Sequence, residues 1–426
     1  MGNAKSTPLS NPYTGLPRVP STDPSTSTEK RDRTLTHLLR LNHHSHTLLY
    51  SANLRFHNHL PHALGSAYLL GATSTHLTQL YESESKPLPP WPPTNPGEIA
   101  RHDWREHISD RTYQRAYLDF FEDELVRFGY DWRGVVMEYL FQKPEPLLLG
   151  GLGGLGHPLI HLGYAFELGS KELGMEALSL LVTNYDSLLH GYFDGSVPLS
   201  PPPLSPPQGE YTTTTTTTTT ADPAKVLSRI SKSSEFDGLF EHPGADNIPV
   251  LFRRKEAAVL AFYHQFRITD LAAAHKSLTH LAATLLACSH DPGRPEYDFF
   301  IVHLTTVSHA VRTLMPEVPE EYARSLVKMQ WMFIIIVYIV QLRKTVRPEL
   351  LDGVDLKGRG WGDVIQKALG GERKGEEMED AHYLKAVRAL KDSAQLWKDE
   401  EEFYLKAAVK FAWEFEKWSF GSEGHN

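Results

Sequence analysis

His157-Pro158-Leu159-Ile160-His161-Leu162-Gly163-Tyr164-Ala165-Phe166-Glu167 sets two imidazoles four residues apart in an otherwise apolar stretch. Proline suits the first helical position, so a helix is predicted to begin here, with His157 at its start and His161 about one turn in. That is a spacing a metal ion can bridge. Three other apolar segments carry histidines in the same manner: Phe56-His57-Asn58-His59-Leu60-Pro61-His62, Phe299-Phe300-Ile301-Val302-His303-Leu304 and His382-Tyr383-Leu384-Lys385. One buried histidine is usually a core residue bonded to a carbonyl, but four helices each turning one inward would be costly without a common purpose. Taken together, the segments predict ligands converging from separate helices, as in bundle metal sites. Imidazole suits iron, copper, zinc and nickel alike, so residue type alone does not choose the metal.

Around these segments the pattern is helical nearly everywhere. Residues 111–128, 171–190, 254–289, 320–347 and 381–418 all repeat apolar side chains at three- and four-residue spacing, and no convincing run of alternating strands occurs. The predicted fold is therefore all-α, a single large helical domain over residues 31–426 with its helices converging on a central histidine-rich site. Residues 1–30, rich in Ser, Thr and Pro, are expected to form a disordered tail. A proline-rich stretch running into the threonines 212–220 reads as a low-complexity insertion at about 197–222, and the prolines of residues 86–97 as a short stiff connector.

A formal charge of −9 over 426 residues opposes nucleic acid and anionic membrane as partners. The single cysteine, Cys288, excludes an intramolecular disulfide, and the polar start lacks a secretory core, so the chain reads as cytoplasmic. The apolar run at 331–340 is too short to span a bilayer, which takes roughly 20 residues, and is expected to be a buried core helix. Gly2 and Ser6 match the N-myristoylation pattern, although one acyl chain would anchor only weakly, without stable membrane insertion.

Gly151-Leu152-Gly153-Gly154-Leu155-Gly156 spells a dinucleotide-binding pattern without its frame, since Pro144 and Pro146 leave no strand before it. Its expected role is a close backbone approach to His157. His290-Asp291, the dipeptide of helical metal phosphohydrolases, is followed at once by Pro292-Gly293 and marks a helix end. His57-Asn58-His59 spells a nuclease-like triplet without the hairpin a nuclease needs. Carboxylates are scarce near the histidines: Glu167 lies on a different helical face from His161. Lys385 sits beside His382, and only a carbamylated lysine could ligate; the alternative is a lysine outside the centre on an amphipathic helix.

The order Phe56-His57-Asn58-His59-x-x-His62, Leu70-Gly71-Ala72, His157-Pro158-Leu159-Ile160-His161-Leu162-Gly163-Tyr164, Asp298-Phe299-Phe300-Ile301-Val302-His303 and His382-x-x-Lys385 resembles the questin oxidase-like family, over roughly residues 45 to 420. The resemblance implies an oxygenase of fungal secondary metabolism that opens a ring of an anthraquinone-type polyketide with O2, at a non-haem Fe(2+) held by histidines. The expected metal ligands are His62, His161, His303 and His382, with carbamylated Lys385 as a fifth. His59, His157 and Tyr164 are expected as catalytic residues; His57, His59 and His157 are also alternates or partners that fix ring orientation. Trp104, Tyr113, Phe300 and Tyr164 are candidates to line a flat pocket for the aromatic substrate. Two other readings stand beside this one: an NADPH-dependent Baeyer–Villiger-type monooxygenase without tightly bound metal, and a non-catalytic helical carrier of aromatic intermediates.

Overall fold

Helix starts in this chain are set by short polar caps. Asp131, Ser170, Asp186, Asp270, Asp298 and Asp380 each accept a backbone N–H from the first turn that follows, satisfying donors a helix leaves orphaned. The computed structural model describes residues 14–93, 96–194, 219–290, 296–370 and 380–420. The chain passes through α1 (Lys30–Ser45), α2 (Leu60–Leu70), α3 (Ser74–Glu84), α4 (Gln114–Arg127), α5 (Trp132–Phe141), α6 (His157–Leu168), α7 (Lys171–Thr183), α8 (Ser187–Phe193) and α9 (Pro223–Ser231). It continues through α10 (Ile248–Tyr263), α11 (Leu271–Cys288), α12 (Phe299–Leu314), α13 (Glu320–Val340), α14 (Glu349–Asp352), α15 (Trp361–Ala368), α16 (Ala381–Leu396) and α17 (Glu401–Glu414).

The all-α expectation holds, as one helical domain around a single core, with small additions. Strand β1 (Leu49–Tyr50) pairs antiparallel with β2 (Phe56–His57), and β3 (Glu296–Asp298) pairs in parallel with β4 (Lys417–Ser419). Three predicted continuous spans are broken in two. Asp186 opens α8 by capping Leu189, Asp270 opens α11 by capping Ala273, and the chain turns at Trp397 between α16 and α17. In each case a local cap or turn ends the rod while the apolar periodicity runs on across the break.

At the centre lies α6, with every residue from His157 to Leu168 buried. It packs on α7 and α12; α12 packs on α16, α16 on α2, and α2 on α6, so four helices close a ring. Close approach of α2 to α6 depends on Gly65, where a Cβ would stand 2.8 Å from the Tyr164 ring. The apolar helix α13 is long enough to cross a membrane by length and composition, yet 89% of its apolar window is buried inside the fold, as expected for a core helix.

Residues 14–29, expected as part of a disordered tail, lie against the ring. Leu16 is buried, Thr22 N–H donates to the Glu167 carbonyl at 2.8 Å, and Ser21 Oγ donates to the Phe166 carbonyl. Polar composition missed this because the docking uses backbone groups at the end of α6 and one leucine. Gly2, Ser6 and most of the 197–222 insertion lie outside the described residues. The end of that insertion is anchored: Thr220 exchanges backbone hydrogen bonds with Gln265 and Arg267, and Asp222 caps α9.

Candidate functional site

Each helix of the ring brings its histidine from near its N-terminal end. His59 is the residue preceding α2, His157 the first of α6, His303 the fifth of α12 and His382 the second of α16. Their rings meet: centroid separations are 4.7 Å for His59–His157, 4.4 Å for His59–His382, 4.8 Å for His157–His303 and 5.0 Å for His303–His382. Nitrogens of His59, His157 and His382 all lie within 4.8 Å of one another. His57, carried by β2, stacks on His157 at 4.1 Å.

Two backbone carbonyls fix the tautomers. His157 Nδ1–H donates to the Gly154 carbonyl at 2.6 Å, and His303 Nδ1–H donates to the Phe299 carbonyl at 2.8 Å. Neutral imidazole has one proton, so Nε2 of each carries a lone pair; those two atoms face one another at 3.3 Å, and His157 Nε2 also lies 2.7 Å from His59 Nε2. Two lone pairs aimed together inside a core repel unless a cation lies between them. The rings stay neutral: burial holds the His59, His157 and His303 protonation far below the ordinary range, and burial with the charge of Lys385 lowers His382 to about 4. His382 Nε2 and Lys385 Nζ, both buried, have no hydrogen-bond partner among the described residues. Burial lowers the Lys385 ammonium to about 7.

His62 and His161, expected as ligands, are arranged differently. His161 Nε2 contacts Glu176 Oε2 at 2.7 Å, and its Nδ1 faces His62 Nε2 at 3.0 Å, so both ring nitrogens of His161 are engaged. Glu176 reaches on to His43 Nδ1 at 2.8 Å, and His43 Nε2 meets Glu122 at 2.7 Å. Burial would raise the Glu176 carboxyl, but hydrogen bonds from His161 and His43 overcome it and hold it at about 2. Burial would likewise lower His43, but hydrogen bonds to Glu122 and Glu176 raise it to about 10. The two segments thus turn their alternates, His59 and His157, to the cluster. Periodicity could not separate them, because His157 and His161 are both buried in one helix and His59, half-buried at the cavity, stands only three positions from buried His62.

Tyr164, expected as catalytic, stacks on His62 and shares a 2.5 Å hydrogen bond with Ser66. It borders a water-sized void with Lys385, away from the larger cavity. Glu167 faces away from His161 as its spacing predicted, paired with Arg388 and His309. Of the candidate wall aromatics, Phe300 lines the cavity; Trp104 packs on Tyr139 and Tyr113 stacks on His107.

That cavity, of about 530 Å³, opens beside the cluster and is lined by His57, His59, His157, Arg55 and Arg111, with Phe56, Phe299, Phe300 and Phe333 among its apolar walls. The glycine-rich loop forms one side. Gly153 passes so close to the Asn184 carbonyl that a Cβ would stand 1.7 Å from it, and Gly154, at φ +59°, would place a Cβ 2.9 Å from His57. The pattern therefore serves close packing, onto His157 through the Gly154 carbonyl as expected and onto His57 as well.

A family model described as Questin oxidase-like matches residues 56–390. A protein named Questin oxidase from Aspergillus terreus is 26% identical over 380 residues, covering 83% of this chain and 79% of that protein. Another so named, from Aspergillus fumigatus, is 24% identical over 407 residues, covering 92% and 86%. "Baeyer-Villiger oxidase mdpL" from Emericella nidulans is 26% identical over 423 residues, covering 87% and 84%.

Proposed function

The chain belongs to the questin oxidase-like family and is an oxidoreductase, and from that premise we propose that it oxidatively opens a ring of an anthraquinone-type polyketide with O2 at a histidine-bound Fe(2+). One observation carries the metal: with each ring pinned by a carbonyl, the Nε2 lone pairs of His157 and His303 face each other at 3.3 Å, and His59 Nε2 converges on the same point, 2.7 Å from that of His157. His59 and His382 would complete the holding set from the other two helices of the ring. Bound there, iron would supply Lewis acidity toward a phenolic oxygen and a redox partner for O2.

The chain's own residues account for the rest. The cavity falls within the size range of small-molecule sites, and its phenylalanine walls suit a flat polycyclic ligand and exclude water from it. Lys385, with a proton affinity brought near neutrality by burial, offers a free amine that can take up CO2 and become the anion a four-imidazole set lacks. The names borne by relatives support a second reading, a Baeyer–Villiger-type monooxygenase, whose electrons would then come from NADPH.

Elemental analysis of protein purified without chelator, combined with oxygen uptake on a hydroxyanthraquinone, separates the two. Close to one iron per chain, with uptake abolished by chelation and independent of NADPH, is expected. Full turnover by metal-free protein with one NADPH oxidised per substrate would replace iron by the second reading. Lys385→Met should lose iron while Lys385→Glu retains part of it; unchanged iron in Lys385→Met would remove that lysine from the ligand set.

A further inference from the structure

At the cavity wall stands a cation that nothing in the histidine cluster uses. Arg111 opens the short turn leading into α4 and is half-buried beside His57 and His59. Its neighbour Asp110 is committed elsewhere, accepting from Thr112 N at 2.9 Å and Thr112 Oγ1 at 2.6 Å. Arg111 itself makes one long contact, 3.4 Å to the Leu54 carbonyl, and among the described residues no carboxylate lies within ion-pair distance of it. Asp186, on the same cavity, is occupied in capping α8. The charges around Arg111 worsen its position: burial, then the neighbouring Arg55, disfavour its protonated form, and its charge helps depress protonation of His57.

A guanidinium that has lost solvent, faces a second arginine and has no acid is a poor structural element, because burying an uncompensated charge costs stability. It is a good receptor for an anion, since its donors match carboxylate or phenolate oxygens and such charge-assisted bonds strengthen as water leaves. We propose that Arg111 is the anion-binding residue of this cavity, receiving an ionised oxygen of a flat aromatic ligand whose rings lie along Phe299 and Phe300 toward the imidazoles. The inference rests on the reading of the cavity as the aromatic-substrate site and adds that the substrate enters as an anion.

Tryptophan-fluorescence titration of the full chain tests it with two matched pairs: a dihydroxyanthraquinone carboxylate with its methyl ester, and an acidic hydroxyanthraquinone with its methyl ether. The wild type should bind at least one anion about tenfold more tightly than its neutral partner, with a preference that shrinks at high salt. The pair that shows the preference tells carboxylate from phenolate. Arg111→Gln should erase the preference and leave the neutral dissociation constants unchanged, whereas Arg111→Lys should keep part of it. A preference that survives in Arg111→Gln, equal weakening of charged and neutral ligands, or no preference in the wild type would each overturn the role of Arg111. Failure of the neutral ligands to bind the wild type would instead overturn the aromatic-site reading, and the inference with it.

Discussion

Two groups of buried histidines lie side by side in this core, built on overlapping helices, and they solve the problem of burial in opposite ways. In the inner group, Glu122, His43, Glu176 and His161 alternate acid and base, His62 follows His161, and contacts of 2.7–3.0 Å link each to the next. In the cavity-side group, His57, His59, His157, His303 and His382 meet with lone pairs opposed and with orphaned nitrogens on His57 and His382. The inner group is satisfied by protein partners except at His62 Nδ1, which has none among the described residues. On the proposed reading the outer group is completed by a metal ion, and a site that binds cations is expected to look unfinished without one.

The sharpest way to break this contrast is to remove one histidine from each side. His157→Ala should abolish turnover and lower iron content by about a hundredfold or more, with helical circular dichroism retained. His161→Ala should lose stability and keep most of its iron, because His161 is bonded on both nitrogens within the inner group. Iron lost from His161→Ala and kept in His157→Ala would reverse the assignment.

The inner group's anion gives the next effect. Glu176→Gln leaves the His43 imidazolium with only the partly exposed Glu122, and should cost about 3 kcal/mol or more in urea unfolding, the scale for removing one partner of a buried ion pair. A loss below about 1 kcal/mol would show that this network is not the stabilising half of the comparison.

Proton linkage divides the groups by pH limb: Glu176 and the cavity-side histidines act on the acid limb, and His43 acts on the alkaline one. Glu176, held at about 2, contributes stability that is present above its ordinary value and lost as pH falls toward 2. His43, raised to about 10 from 6.5, contributes stability that is full below 6.5 and lost as pH rises toward 10. His57, lowered to about 3, and His382, lowered to about 4, are kept neutral by folding, so their contribution is present above 6.5 and lost as pH falls below it. Chelator-treated protein should therefore be most stable near pH 6.5. His43→Gln should flatten the alkaline limb alone; an unchanged alkaline limb would disprove the linkage. The smallest effect expected is that of Gly154→Ala, about 1–2 kcal/mol from a Cβ at positive φ pressed on His57, read as a lower melting temperature.

Much was legible in the residues alone. Three- and four-residue apolar spacing identified the helices, because a helix must bury one face whatever it packs against. Histidines in apolar settings marked which helices meet, because an imidazole is costly to bury without a partner. The missing strand before the glycine-rich loop excluded a nucleotide frame, and its glycines pointed to close backbone packing on His157.

Only the tertiary structure decided which histidine of each pair faces the cavity. His157 and His161 are both fully enclosed in α6, and what separates them is a carbonyl at Gly154 for one and a carboxylate at Glu176 for the other. Glu176 lies on α7, and no spacing ties it to His43, which it also holds from 133 positions away in the chain. Nothing in the sequence sets Arg111 apart from other charges; folding places it on the cavity wall with no carboxylate in ion-pair distance among the described residues. Sequence period fixes which faces are buried, since it is a local property of one helix. The identity of a buried group's partner is a property of the packing between helices, and that partner determines whether the group stabilises the fold or awaits a ligand.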